Sequence, residues 1–127
     1  FTIITGGSYG AGNYAMAGRA FNPRLLFMWP GSTISVMGAQ QAANVLTTVK
    51  TNQLKRQGKT INEKDIEKIK DEILQKYGKE SSAYFSSSRL WDDGIIDPVD
   101  TRKIITMGIS MSLNRNFDKP KTGIYRM

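Results

Sequence analysis

The feature that most constrains this chain is a glycine-rich stretch close to its start. Residues 1–5, FTIIT, are typical of a short buried strand, and glycines follow at positions 6, 7, 10 and 12. Residues 13–20 have the Ala, Met and Tyr content of a helix start, so the pattern predicts a strand, a tight turn and a helix. Backbone N–H groups in such a turn can approach a ligand, and a helix N-terminus carries about half a positive charge. The stretch is therefore a candidate site for an oxyanion or a phosphate.

Strands and helices continue to alternate after this stretch. Residues 25–29, LLFMW, predict a second buried strand that ends at Pro30 and Gly31, and residues 33–37 alternate like a third strand. After Gly38, residues 39–46 have the apolar spacing of a helix that packs closely through alanines. This order predicts an α/β layer fold rather than a helical bundle or a β-sandwich.

The second half of the chain predicts two more helices. Asn62 is the expected N-cap of an amphipathic surface helix over residues 63–77, and Gly78 is its expected stop. The serine-rich segment 81–89 is too aromatic for a linker, so we expect it to pack. A last helix is expected over residues 98–113, capped by Asp97 and followed by an irregular tail to residue 127.

Composition excludes several kinds of chemistry. The 127 residues include no Cys and no His, which removes Cys–His and Ser–His–Asp catalysis and the usual zinc sites. Asp92 and Asp93 are adjacent in a predicted turn, where carboxylates are normally solvated, so acid–base catalysis by this pair is disfavoured. The length allows one ordinary domain at most. No apolar run is long enough to span a bilayer, and the chain opens inside a strand without an initiator Met, so we expect a piece of something longer.

The formal charge of +7 is unevenly distributed along the chain. No Asp or Glu precedes Glu63, whereas the earlier part contains the following basic residues: Arg19, Arg24, Lys50, Lys55, Arg56 and Lys59. An anionic partner for this part and neutralisation by the rest of a larger protein both remain open. The lysines of residues 63–80 alternate with acids, which favours a solvated helix face over nucleic-acid binding.

The glycine stretch also allows an alternative function, a dinucleotide-binding module. Residues 10–15, GAGNYA, match the G-x-G-x-x-A pattern that binds a pyrophosphate between a strand and a helix. That fold also needs an acid about twenty residues on, at the end of the second strand, to bind the ribose hydroxyl. The second strand here ends in FMWP, and no acid appears before Glu63, so the match is weak.

Several long motifs resemble those of the biotin-dependent acyl-CoA carboxyltransferases. They are GGSYGAGNYAM at residues 6–16, WP at 29–30, ISVMG at 34–38 with QAANVL at 41–46, SSRLWDDGIIDP at 87–98 with TR at 101–102, and GIYRM at 123–127. The resemblance covers nearly the whole chain and is weakest over residues 50–80. Relatives that carboxylate propionyl-CoA have a shorter glycine turn without the residue represented by Asn13, so the resemblance favours β (non-biotin) subunits of the methylcrotonoyl-CoA type.

The resemblance implies a crotonase-like (ClpP/crotonase-type) layered fold. Residues 1–127 would be the C-terminal part of the second of two similar carboxyltransferase domains, with the N-terminal domain absent. The family's oxyanion hole falls on the backbone N–H groups of Ala11 and Gly12, and Gly10, Ala11 and Gly12 would contact biotin. No metal is implied for this chain.

The resemblance also implies partners and a reaction. Biotin would arrive on a separate α subunit of an ATP-dependent holoenzyme, acyl-CoA would be held mainly by the N-terminal domain, and the active site would lie between two β subunits. The carboxyl group would move from carboxybiotin to 3-methylcrotonoyl-CoA in leucine degradation, with geranyl-CoA or another acyl-CoA as the alternative substrate. The location would be the mitochondrial matrix in a eukaryote or the cytoplasm in a bacterium. Without the thioester-binding domain and the biotin carrier, the 127-residue chain alone would be inactive.

Overall fold

Four short strands form two parallel pairs in the computed structural model, which describes residues 1–58 and 62–116. Strand β1 (Thr2–Ile4) pairs with β3 (Leu26–Met28), and β2 (Gly7–Tyr9) pairs with β4 (Thr33–Ser35). In register, Ile3 lies opposite Phe27 and Ser8 opposite Ile34. Parallel pairing needs a crossover between the strands, and helix α1 (Gly10–Ala15) with a 3₁₀ turn at Arg19–Phe21 provides it. The predicted mixture of strands and helices is confirmed.

The glycine stretch is not the simple turn that the sequence predicts. It contains strand β2, and α1 begins at Gly10 instead of residue 13. Gly10 has a φ of +51°, and a Cβ there would lie 2.9 Å from the carbonyl oxygen of Val36, so glycine is required where β2 becomes α1. The Tyr9 and Thr33 hydroxyls lie 2.8 Å apart and join β2 to β4.

The core lies between the β1–β3 pair and residues 93–96. Its buried side chains are Ile4, Leu26, Met28 and Ala83, with Ile34 and Ile95 packed against them. Residues 93–96 run along the free edge of β3: the Met28 N–H donates to the Gly94 carbonyl at 3.1 Å, and the Ile96 N–H donates to the Met28 carbonyl at 2.9 Å. This segment therefore satisfies backbone groups of β3 that β1 does not reach.

Two long helices, α2 (Ala39–Arg56) and α3 (Glu63–Glu80), pack against each other. Helix α2 extends ten residues past the predicted end at residue 46, because Thr47, Thr51 and Leu54 continue its covered face. Asn62 is the N-cap of α3 as predicted, but the prediction that Gly78 stops the helix is wrong. Glycine in a helix interior costs only about 1 kcal/mol, which packing can offset.

Three short elements complete the described chain. Helix α4 (Ala83–Ser88) packs as expected, with Ala83 and Ser86 buried. The Asp97 carboxylate caps a 3₁₀ turn (Pro98–Asp100) by accepting from the Val99 N–H at 3.1 Å, and this turn leads into α5 (Thr101–Ser112). The Trp29 indole N–H donates to the Thr101 hydroxyl at 3.1 Å and fixes the start of α5.

The expected apolar face of α5 is only partly covered. Ile104 and Ile105 are half-buried, whereas Ile109 and Leu113 are 45% and 63% exposed. The predicted tail from residue 117 onward, the GIYRM motif within it and Lys59 lie outside the described residues. Within the ranges 1–58 and 62–116, no helix is long and apolar enough to cross a bilayer.

Candidate functional site

A groove of about 630 Å³ opens beside the start of α1. Its other walls are formed by the end of β4, the last turn of α3 and one side of α4. Its aromatic lining consists of Tyr14, Tyr77, Phe85 and Trp91. Among the described residues, the one charged side chain that lines the groove is Glu80, at the end of α3. The groove thus offers flat apolar surfaces with few charges, a common design for sites that bind small ring systems.

The predicted site residues lie at one end of this groove. Gly10 and Ala11 line it, whereas Gly12 is the next residue of α1 and does not. Within the described part of the chain, no acceptor is found for the N–H groups of Ala11 and Gly12, and the N-cap residue Tyr9 makes no side-chain capping bond. The first N–H groups of a helix lack intrahelical partners, so these donors remain available to a bound oxygen. The Ala11 N–H is the better placed of the two because Ala11 itself lines the groove.

Helix α1 is held in place by Asn13. The Asn13 amide donates to the Ser8 hydroxyl at 2.9 Å, and its backbone carbonyl accepts from the Gly18 N–H at 2.9 Å. A Cβ at Gly18 would lie 2.7 Å from the backbone carbonyl oxygen of Asn13, so a larger residue here would force the backbone to shift. Asn13 thus joins the end of β2 to the segment after α1.

The aromatic wall of the groove, formed by Phe85 and Trp91, is a feature that sequence reasoning missed. The rings of Phe85 and Trp91 meet edge to face at 6.0 Å between centroids, and the Arg89 guanidinium carbon lies 5.0 Å from the Phe85 centroid. The sequence predicts only that this segment packs. Its aromatic residues inside a serine-rich run were the available signal, but nothing in the sequence shows that they face the glycine stretch.

The prediction that Asp92 and Asp93 are solvated turn residues is wrong for Asp92, whereas Asp93 is exposed as predicted. Asp92 is 5% exposed, and its carboxylate accepts from the Ser86 and Ser87 hydroxyls, both at 2.7 Å, and from the Gly94 N–H at 3.0 Å. Asp93 exchanges two backbone-directed bonds with Leu26: its carboxylate accepts from the Leu26 N–H at 2.7 Å, and its own N–H donates to the Leu26 carbonyl at 2.7 Å. Both carboxylates hold the structure together, because β3 and α4 supply donors that the sequence order does not reveal.

Arg19 has intramolecular partners. Its guanidinium lies 3.2 Å from the Asp93 carboxylate and donates from Nε to the Trp91 carbonyl at 3.0 Å. This arginine, one of the basic residues of the first part of the chain, therefore binds within the fold instead of presenting a free charge to a partner.

The dinucleotide alternative gains no support from the geometry. The strand paired with β2 is β4, which ends at Ser35 and is followed by Val36, Met37 and Gly38. None of these residues is an acid that could bind a ribose hydroxyl. Within residues 1–58 and 62–116, no cluster of three or more metal-ligating side chains occurs either.

Residues 1–125 match the family described as the carboxyl transferase domain. The probable methylcrotonoyl-CoA carboxylase beta chain, mitochondrial, of Drosophila melanogaster is 51% identical over 127 residues, which are 100% of this chain and 22% of that protein. The chain thus spans about a fifth of the length of the curated relatives it matches.

Two solved structures have the same arrangement of elements. The beta subunit of geranyl-CoA carboxylase from P. aeruginosa superposes with a TM-score of 0.77 at 35% identity, over 98% of this chain and 24% of that one. The transcarboxylase 12S structure, which is described as a hexamer assembly with hydrolysed methylmalonyl-coenzyme A bound, gives a TM-score of 0.73 at 25% identity over 98% and 22%.

Proposed function

The chain belongs to the carboxyl transferase domain family, and we propose that it is the C-terminal part of the carboxyltransferase subunit of a methylcrotonoyl-CoA carboxylase. It corresponds to the end of the second of two crotonase-like domains. The observation that carries the proposal is the groove, because it brings unpaired N–H groups at the start of α1 together with an aromatic wall. The match to a carboxyl transferase family then indicates which oxyanion chemistry these donors serve.

The proposed acyl-CoA substrate is 3-methylcrotonoyl-CoA, as in leucine degradation. The 51% identity to a methylcrotonoyl-CoA carboxylase beta chain supports this choice over geranyl-CoA, for which the related beta subunit is 35% identical. The presence of Asn13 in the glycine stretch also favours the methylcrotonoyl type. The part of the subunit that holds the acyl chain and most of the coenzyme is proposed to lie outside these 127 residues.

The groove fits the bicyclic ring of biotin. Its volume of about 630 Å³ leaves room for such a ring and for part of the chain that attaches it to a carrier. Phe85 and Trp91 offer apolar surface to the ring, and Gly10 and Ala11 allow the backbone to approach its ureido carbonyl. When bound, carboxybiotin supplies the carboxyl group and a ureido oxygen on which negative charge develops.

The chain's own contribution to the reaction is electrostatic. The N–H groups of Ala11 and Gly12 are fixed by α1 and point away from the helix, so they can stabilise negative charge without reorganising. Neither histidine nor cysteine is needed for this role, which agrees with their absence from the sequence. The half-charge at the helix start acts in the same direction but is weaker, because α1 has only six residues.

Biotin is proposed to arrive on a separate α subunit, and the active site to form between two β subunits. The solved relative described as a hexamer assembly supports an oligomeric subunit. In a eukaryote the proposed location is the mitochondrial matrix, as the name of the Drosophila relative suggests, and in a bacterium it is the cytoplasm.

The test is carboxylation by the complete enzyme, assembled with its biotin-carrying subunit and supplied with ATP and bicarbonate. We expect kcat/KM for 3-methylcrotonoyl-CoA to exceed the value for geranyl-CoA and for propionyl-CoA by at least about tenfold, since specificity is a ratio of kcat/KM values. A preference for geranyl-CoA would change the proposed substrate. Binding of NAD without any carboxylation would contradict the proposed function itself.

A further inference from the structure

The chain between α4 and residues 93–96 reverses direction through a left-handed residue and a set of hydrogen bonds to one buried carboxylate. Leu90 adopts a left-handed conformation with a φ of +59°, although its side chain is 83% exposed and gains nothing from packing. The Trp91 N–H donates to the Ser86 carbonyl at 3.2 Å, and the Leu90 N–H donates to the Ser87 carbonyl at 3.0 Å. This is the Schellman ending of a helix, in which glycine usually occupies the position of Leu90.

The Asp92 carboxylate holds this unfavourable reversal in place. It binds the hydroxyls of Ser86 and Ser87 on the last turn of α4 and the N–H of Gly94 after the reversal. Both ends of the reversal are therefore attached to one buried side chain. Ser86 is 0% exposed, so its hydroxyl would lose its acceptor if the carboxylate were removed.

Trp91 is the residue whose position this arrangement determines. It lies between Leu90 and Asp92, its ring lines the groove against Phe85, and its carbonyl accepts from Arg19 at 3.0 Å. The indole is 46% exposed, so packing alone leaves it free to turn. Its orientation depends on the backbone on either side of it.

We infer that Asp92 is a positioning residue of the groove: through Ser86, Ser87 and Gly94 it fixes Trp91 as the wall against which the biotin ring is held. The inference rests on the proposed function and goes beyond it, because it assigns to biotin binding a buried carboxylate that does not line the groove. Asp92 does not touch the reacting atoms. Its removal weakens binding of biotin and leaves binding of acyl-CoA unchanged.

Three variants of the complete carboxyltransferase subunit test this. Asp92→Ala removes all three hydrogen bonds that the carboxylate accepts. Ser87→Ala removes only one of them, from a half-buried residue, and should fold normally. Ser88→Ala is the matched control, because the Ser88 hydroxyl is on the same helix but donates to the Phe85 carbonyl at 2.8 Å. The assay follows carboxyl transfer from the carboxylated acyl-CoA product to free biotin.

We expect Ser87→Ala to raise KM for free biotin by about fivefold, the ratio that corresponds to one ordinary hydrogen bond, and Asp92→Ala to raise it further. KM for the acyl-CoA should stay unchanged in both, and Ser88→Ala should behave like the unmodified enzyme. Unchanged KM for biotin in folded Ser87→Ala and Asp92→Ala, or equal increases in KM for both substrates, would overturn the inference.

A spectroscopic readout separates this inference from the proposed function. With 5-fluorotryptophan incorporated, the ¹⁹F resonance that disappears in Trp91→Phe belongs to Trp91. We expect that resonance to shift or broaden in Ser87→Ala and to stay unchanged in Ser88→Ala. An unperturbed resonance would contradict the positioning of Trp91 even in an active enzyme. If the unmodified enzyme transferred no carboxyl group to biotin, the proposed function would fail and this inference with it.

Discussion

Two adjacent carboxylates of the same type, Asp92 and Asp93, hold different parts of the molecule. Asp92 accepts from two serine hydroxyls of α4, whereas Asp93 accepts from a backbone N–H of β3 and meets Arg19 at 3.2 Å. The chain bends at both residues, and their side chains reach different elements, α4 for Asp92 and β3 for Asp93.

The first prediction compares two substitutions of Gly12 in the complete enzyme. Gly12→Pro deletes a backbone N–H in the first turn of α1, where proline is tolerated, whereas Gly12→Ala keeps the N–H and places its Cβ in open space. We expect Gly12→Pro to lower kcat about a hundredfold, as removal of an oxyanion donor does elsewhere, and Gly12→Ala to keep most of its rate. The rates are compared only if both variants melt close to the unmodified enzyme. Equal rates in the two variants would exclude the Gly12 N–H from catalysis and leave Ala11 as the donor.

The second prediction concerns Asp93. Asp93→Ala leaves the Leu26 N–H unpaired beside a fully buried side chain, which costs about 1–3 kcal/mol of folding free energy. Asp93→Asn keeps an oxygen for that N–H and loses only a partly exposed ion pair, so its effect should be under about 1 kcal/mol. Urea unfolding of the two variants measures the difference. A loss that is the same in both would show that the ion pair, and not the Leu26 bond, is what stabilises this junction.

Elements with a strong local pattern could be predicted from the sequence, and their junctions could not. The strand at Leu26–Met28, the Asn62 cap of α3 and the Asp97 cap before α5 follow from local composition and are confirmed. Strand β2 was missed because Gly7–Tyr9 has no apolar alternation and forms only by pairing with β4. The end of α2 was missed because its covered face continues through threonines.

The candidate site could likewise be predicted only in its local part. The sequence and the resemblance indicate Gly10, Ala11 and Gly12, because the glycine pattern is local. They do not indicate Phe85 or Trp91 as the opposite wall, since that contact joins residues more than seventy positions apart in the chain. Only the fold brings these segments together.

The glycine inside helix α3 leads to a prediction about the stability of the last turns of that helix. Gly78 lies inside α3 with open space around its Cβ position, so Gly78→Ala should stabilise the last turns by about 0.5–1 kcal/mol. Hydrogen exchange measured by mass spectrometry should then slow about twofold to fivefold over residues 74–80. Gly58→Ala is the control, because Gly58 has a φ of +73° and should not tolerate alanine well. Unchanged exchange in Gly78→Ala would indicate that α3 ends before Gly78.

At the scale of the whole molecule, much apolar surface is uncovered in the described chain. Met107 and Met111 on α5 and Leu113 directly after it are 55%, 56% and 63% exposed, and Val45 and Val49 on α2 are 50% and 56% exposed. Single exposed apolar residues are common, but a series along one helix needs a covering surface. The proposed place of this chain at the end of a larger, oligomeric subunit would provide one.

The isolated chain is therefore expected to associate and to lack activity. Sedimentation velocity at micromolar concentration should show oligomers or aggregates, because exposed apolar helix faces associate in water. An assay with methylcrotonoyl-CoA and free carboxybiotin should show no transfer above the uncatalysed rate. A stable monomer, or turnover like that of the complete enzyme, would contradict the proposal that this chain is one part of a shared site.

The most direct test of the central claim is to locate biotin in the complete carboxylase by electron cryo-microscopy. We expect the bicyclic ring to lie in the groove against Phe85 and Trp91, with its ureido oxygen about 3 Å from the backbone nitrogen of Ala11, which is the distance of an oxyanion contact. Biotin bound elsewhere while this groove stays empty, or a ureido oxygen held by a side chain instead of the α1 backbone, would contradict it.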